Sequence, residues 1–368
     1  MILATISIQS LTNTGLFAKA QEARDKTQNA AENQAKTLNE YEDELNKYIS
    51  GNIEEKKDPI KEVSNKVLST TDNTELQDAY GNKIVVPAGF KIVSNDDTSK
   101  ATTVDKGIVI EDATSAATAG SQFVWIPVGK IYADEAKTEA NAKTITLGRY
   151  DFDETTGVAS AYSGNYVEED KGDTNATLKN YGNTIAKNIT NFKNSVASNG
   201  GYYIGRYEAR TTTARSDKNA QLTQITEKGT DQVYNYVIQS QASSQAQNMY
   251  NSTKFTSDLM NSYAWDTAIT FIQKCTKETN YANQTSLNTG SVAQTGTTND
   301  KQCNIFDMAS NVMEWTTETS DNSNSPCVSR GGYYYNNNHY TNYSNGYGNS
   351  DCDDSSGFRP LLFVGPNS

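Results

Sequence analysis

The chain has 368 residues and a single histidine, His339. With one imidazole, Ser-His-Asp, Cys-His and multi-histidine metal chemistries are close to excluded. Cysteine is scarce as well. Cys275, Cys303, Cys327 and Cys352 show no CxxC spacing, which argues against a zinc site. Cys303 and Cys327 are candidates to pair in an exported protein, although sequence does not fix connectivity. Positive charge is also short: 32 Lys and Arg face 44 Asp and Glu, for a formal charge of −12. Nucleic-acid phosphates need a basic footprint, so no nucleic-acid partner is expected. The apolar run Met1–Leu11 is too short to cross a bilayer. It has neither the charged flank nor the cleavage site of a secretory signal.

What remains is a polar chain, with mean hydropathy −0.70. Its 22 Tyr, 10 Phe and 3 Trp still suffice for a core. The pattern predicts an α+β protein in three parts: an N-terminal helix over 1–50, a linker or short helix over 51–75, and a large domain over 76–368. The helix, expected from Leu16 to about Ile49, is rich in Ala, Glu, Lys and Gln. Leu38, Tyr41, Leu45 and Tyr48 recur on it at spacings of three and four, as in a packing seam. Strands are expected at Ala79–Val93 (a meander), Lys106–Asp112, Gln122–Gly129, Ile145–Phe152 and Gly200–Arg210. A helix is expected over Ser257–Cys275, with Ser257 as its N-cap.

The most unusual stretch is Tyr333–Ser356, YYYNNNHYTNYSNGYGNSDCDDSS, between Arg330-Gly331-Gly332 and Gly357-Phe358-Arg359. Its 24 residues contain no Lys, Glu, Gln, Met or Trp and no aliphatic side chain. Such a segment cannot supply aliphatic core and is expected at the surface. Tyr, Ser, Gly and Asn are the residues of binding loops, where flat rings of low rotamer entropy alternate with small hydrogen-bonding groups. A solvated low-complexity loop has the same composition.

Two resemblances follow from quoted segments. ILATISIQSLTNTGLFAKAQEARDKTQNAAE resembles the second half of a type IV pilin-like N-terminal helix. That resemblance implies filament assembly through the helix and a membrane-anchored full-length form; the processing signature and most of the apolar segment are not in this sequence. FVWIPVG, GGYYIGRYEAR, SYAWDTAITFIQ, and NIFDMASNVMEWTTET followed by SRGG and GFR resemble, in order, the formylglycine-generating-enzyme-like (sulfatase-modifying factor) branch of the C-type lectin fold. The resemblance spans roughly residues 120–365, and its last block is the specific part. It implies that Trp315 is core, that Gly331-Gly332 allow a tight approach, and that Arg359 pairs with an internal carboxylate or carbonyl.

The enzymes of that family carry a cysteine pair between RGG and GFR for copper-dependent oxidation of a substrate cysteine. Here that segment holds Cys352 alone, beside Asp351, Asp353 and Asp354, whose charges disfavour a thiolate. A second branch, typified by a phage tropism determinant, holds the variable proteins of diversity-generating retroelements. There, adenines of AAY codons are randomised, which turns Asn into Tyr, His, Asp, Ser, Thr, Gly or Cys and never into Lys, Glu, Gln, Met or Trp. Aliphatic residues are also reachable by that route. The resemblance implies a surface-displayed binding protein, not an enzyme, facing an unknown protein or surface ligand outside the cell or on a pilus. Tyr333, Tyr334, Tyr335, Tyr340, Tyr343 and Tyr347 would be rigid anchors. Asn336, Asn337, Asn338, His339, Asn342, Ser344, Asn345, Asn349, Ser350, Asp351, Asp353, Asp354 and Ser355 would supply hydrogen bonds and charge. It further suggests a structural calcium held by Asp307, Glu314 and the carbonyls of Ser310 and Val312, since hard oxygens suit calcium. Alternatively, Asp307 and Glu314 cap turns and bond backbone. The alternatives for the whole are a structural minor pilin or adhesin with a fixed loop, and an oxidase of the formylglycine-generating type.

Overall fold

The computed structural model describes residues 16–49, 57–93, 101–168, 170, 189–285, 289–335 and 339–365. The chain divides into two units, Met1–Lys57 and Asp58–Ser368. It is an α+β protein with a long N-terminal helix and several small sheets.

In the first unit, α1 runs Leu16–Ile49, about 50 Å at 1.5 Å per residue. Its sequence is dense in strong helix formers, and Lys26 Nζ meets Glu22 at 2.7 Å one turn away. Leu38, Tyr41 and Leu45 on this helix are 61, 67 and 58% exposed. Residues 1–15 and the Tyr48 side chain lie outside the described residues.

The second unit begins inside the expected linker. Asp58 accepts from the Ile60 and Lys61 amides and caps α2 (Pro59–Val63), which buries Ile60. Proline at the first helical position and a carboxylate N-cap make a short helix possible here. Six antiparallel strands then build the main sheet: β1 (Phe90–Ile92), β2 (Val109–Asp112), β3 (Gln122–Pro127), β4 (Gly201–Gly205), β5 (Phe255–Leu259) and, from the C-terminus, β10 (Pro360–Val364). Their order is β5-β10-β4-β3-β2-β1. β4 and β10 are buried along their whole length and β3 at every residue but Gln122, as apolar runs such as FVWIP and PLLFV require. Phe90, Phe123, Tyr250 and Phe255 interlock edge to face beside the sheet.

Helices α3 (Ile189–Asn199), α4 (Gln239–Met249) and α5 (Ser262–Cys275) complete the unit. The expected start of α5 is corrected. Its N-cap is Asn261, whose side chain accepts from the Ala264 amide at 2.9 Å. Ser257 lies in β5, where Phe255–Leu259 pairs residue by residue with Val364–Pro360. Five ladder positions against the C-terminal strand outweigh a local capping signal. The Ser257 hydroxyl instead donates to the Ala246 carbonyl at 2.6 Å. The expected strand Ile145–Phe152 is broken as well. Ala142–Ile145 pairs with Gly129–Tyr132, and Tyr150–Phe152 pairs with Ala159–Ala161.

A second sheet carries the region of interest: β6 (Met313–Thr319), β7 (Cys327–Arg330), β8 (Ser344–Tyr347) and β9 (Ser356–Phe358), in the order β8-β7-β6-β9. β6 runs antiparallel to β7 and parallel to β9, with Trp315 opposite Phe358. Segments far apart in sequence, MEWT, SR and GF, are therefore adjacent. All four cysteines are free, so Cys303 and Cys327 do not pair.

Candidate functional site

The Tyr-rich stretch leaves and re-enters the core at two arginines, and both are held by one strand. Before it, Arg330 donates through Nε and one terminal nitrogen to both oxygens of Glu318, at 2.6 and 2.8 Å. Its other terminal nitrogen reaches Asp266 at 3.2 Å. After it, Arg359 donates to both oxygens of Glu314, at 3.1 and 2.6 Å, and to the carbonyls of Gly205 and Phe306. Both guanidinium groups are buried, and so are Glu314 and Glu318. The register of β6 against β7 shifts between Trp315 and Thr319, and the strand supplies both Glu314 and Glu318 to buried arginines. Burial alone would raise the Glu318 carboxyl, but the Arg330 and Arg149 guanidiniums hold it below the usual range. Arg149 supplies a further contact at 2.7 Å. The pairing of Arg359 was legible in GFR; the Arg330 pair was not.

Gly331 turns the chain out at φ +87, and a Cβ there would sit 2.7 Å from the Met308 carbonyl and 3.2 Å from the Trp265 ring. Only glycine fits this backbone at no cost. Beyond it the rings form a contiguous run. Tyr335 meets Tyr334, Tyr334 meets Tyr333, Tyr333 tilts on His339 at 4.7 Å, and His339 meets Tyr343 at 3.9 Å. Tyr335 is 67% exposed and Tyr340 is 38% exposed, while Tyr333, Tyr334 and Tyr343 are half-buried. Offset and edge-to-face rings present faces and hydroxyls together, as a recognition surface needs. The Tyr334 hydroxyl donates to Asp354 at 2.9 Å, and burial together with Asp354 pushes it up to about 12. Burial pulls His339 below its ordinary value.

Several predicted site residues belong to the frame instead. Tyr347 lies edge-on to buried Trp315 at 5.7 Å, its hydroxyl against Met313 Sδ at 3.3 Å. Ser344 and Asn345 lie in β8 and pair with Arg330 and Ser329. Asp353 accepts from the Ser355 amide and from the Ser355 and Ser356 hydroxyls, which closes the turn into β9. Ser355 itself is buried. Thr341 is buried too, and its carbonyl takes the Trp265 indole N–H at 3.0 Å. The expectation of a stretch wholly at the surface is therefore corrected: small polar side chains reach the interior wherever the backbone must be hydrogen-bonded. Asp351 accepts from the Gly348 amide, Asn349 from Cys327, and the Ser350 carbonyl from Lys218. The Asn342 amide donates to the Ala282 carbonyl. Asn336, Asn337 and Asn338 lie outside the described residues.

Both carboxylates of the candidate calcium set already accept hydrogen bonds from protein groups. Both Glu314 oxygens accept from Arg359. Asp307 accepts from the Gly296 amide and from the Thr298 and Ser310 hydroxyls. The Val312 amide and the Asn311 side chain donate to buried Glu208, a residue the sequence reading did not single out although it is the acid of GRYEAR. The turn at Asp307 and Asn311, both at φ +64, is held by these hydrogen bonds. Among the described residues no three His, Cys, Asp or Glu side chains gather as a metal site. The Cys352 thiol is raised by burial and, against Lys218, by Asp353 and Asp217.

No family model and no curated protein matches the chain. A crystal structure of CarF matches with 14% identity and a TM-score of 0.22, over 30% of this chain. The match spans about half of CarF, 47% of its length, and at that score it carries no argument. Among the described residues no helix is long and apolar enough to cross a membrane.

Proposed function

We propose that residues 58–368 form a C-type lectin-type domain of the formylglycine-generating-enzyme-like branch, and that its aromatic face is a variable ligand-binding surface diversified by a retroelement. The observation that carries this reading is the run Tyr335–Tyr334–Tyr333–His339–Tyr343, half-buried to exposed, between two buried Arg–Glu clamps. Clamped ends let the residues between them change without loss of the fold. Rigid rings with neighbouring Asn, Ser and Asp suit a protein or surface ligand. The domain binds and does not catalyse: a lone thiol held protonated is a poor nucleophile. Helix α1, with its exposed Leu38, Tyr41 and Leu45, serves in pilin-like anchoring or assembly, which places the face outside the cell.

The test is genomic. A near-repeat of the DNA encoding residues 333–365, differing at adenines and lying beside a reverse transcriptase, is expected. Its absence would leave a fixed-loop adhesin in place of a variable protein. Purified protein loaded with Cu(I) is expected not to oxidise a cysteine peptide.

A further inference from the structure

Five lysines converge on one pocket of about 630 Å3, none of whose lining residues belongs to the Tyr-rich stretch. Lys106 comes from the turn Val104–Lys106, Lys143 from the strand Ala142–Ile145, Lys274 from the last turn of α5, Lys277 from just beyond its C-cap Thr276, and Lys301 from a hairpin. The one carboxylate in the lining is Asp105, which is buried and lies 3.0 Å from Lys106 Nζ. In a chain of net charge −12 this is a concentration of the scarcer sign. A helix C-terminus stabilises nearby cations, and that accounts for Lys274, which also donates to the Thr144 carbonyl. It does not account for Lys143, which arrives from another element; Lys106 is paired with Asp105, and Lys301 lies over the Phe306 ring at 5.2 Å. Like charges gathered around one space repel unless an anion lies between them.

We propose that this pocket binds a small organic molecule carrying a phosphate or sulfate group. Ammonium groups on flexible stems suit a tetrahedral oxyanion approached from several sides. The volume lies within the roughly 300–1,000 Å3 of small-molecule sites, larger than a bare oxyanion fills. The remaining space is walled partly by Ala101, Ala133 and Cys275, which suits an uncharged organic body. The hairpin turn that closes one side is fixed in shape. Cys303 and Asn304 both have positive φ, and Gly107 packs so close that a Cβ would overlap the Cys303 carbonyl.

The full chain would be titrated calorimetrically at low salt with glucose 6-phosphate, glucose 6-sulfate and glucose. The expected result is that one or both esters bind, that glucose does not, and that added NaCl weakens the binding. Which ester binds more tightly identifies the anion. The variant Lys143→Ala/Lys277→Ala is expected to weaken ester binding about tenfold or more. Relief of repulsion should leave its unliganded melting temperature equal to or above that of the parent. No binding by either ester, or binding by a folded double variant as tight as by the parent, would overturn the proposal. Should the double variant melt early, the salt dependence and the ester-against-glucose contrast in the parent decide alone.

Discussion

In the sheet beneath the aromatic face, β6 is buried at all seven residues, whereas β8, two places away, is half-buried at all four. Both are paired strands. They differ in where their side chains spend their hydrogen bonds. β6 sends Glu314 and Glu318 inward to two arginines, and Thr317 to Glu168 at 2.6 Å. β8 contributes chiefly backbone pairing to β7, with Tyr347 as its inward contact. A strand of buried charge tolerates little change, because each lost partner leaves a desolvated ion behind. A strand held by its backbone tolerates much.

Breaking the frame should have the largest effect. Arg359→Met leaves Glu314 and two carbonyls without their donor and is expected to cost about 3–5 kcal/mol in chemical denaturation. Arg330→Met should cost less, since Glu318 keeps Arg149. Equal losses would mean that Arg149 does not share the charge. Next comes Tyr347→Ala, which removes the ring on Trp315 and should cost about 2 kcal/mol. A neutral result would return Tyr347 to the aromatic face.

Acidity sharpens the same contrast. Burial pushes Glu168 and Asp266 each up to about 7, above the roughly 4 of unfolded carboxylates. Between those values the folded state binds more protons than the unfolded state, so stability falls as pH rises from about 4 to about 7. Glu318 has the opposite sign and loses its contribution only as pH falls through its lowered value. Glu168→Gln, which keeps a hydrogen-bonding group against Ser262 and Thr317, should flatten the melting curve across that window. An unchanged slope would show that Glu168 does not carry it. Smallest of all, Tyr335→Ser and Tyr340→Ser should each shift stability by less than about 0.5 kcal/mol, measured by the same denaturation.

Much of this frame was legible in the sequence, for identifiable reasons. α1 follows from its many strong helix formers, and β3 and β4 from apolar runs bounded by turns. Arg359 and Gly331 stood in motifs with a physical reading. What was not legible depends on partners distant in sequence. Ser257 carries a valid capping signal, yet it lies opposite Leu362 in a ladder. Glu318 and Arg330 show no local sign that they meet. Nor does composition distinguish Tyr347, which faces Trp315, from Tyr335, which faces solvent, because the two differ only in their register on the chain.

A face that can change without its frame is the property to test. It is tested most directly by randomising positions 333, 334, 335, 339, 340, 342 and 343 together in the full chain and measuring thermal unfolding across the library. Most members are expected to unfold cooperatively within about 5 °C of the parent. A library in which most members are unfolded at room temperature would contradict it.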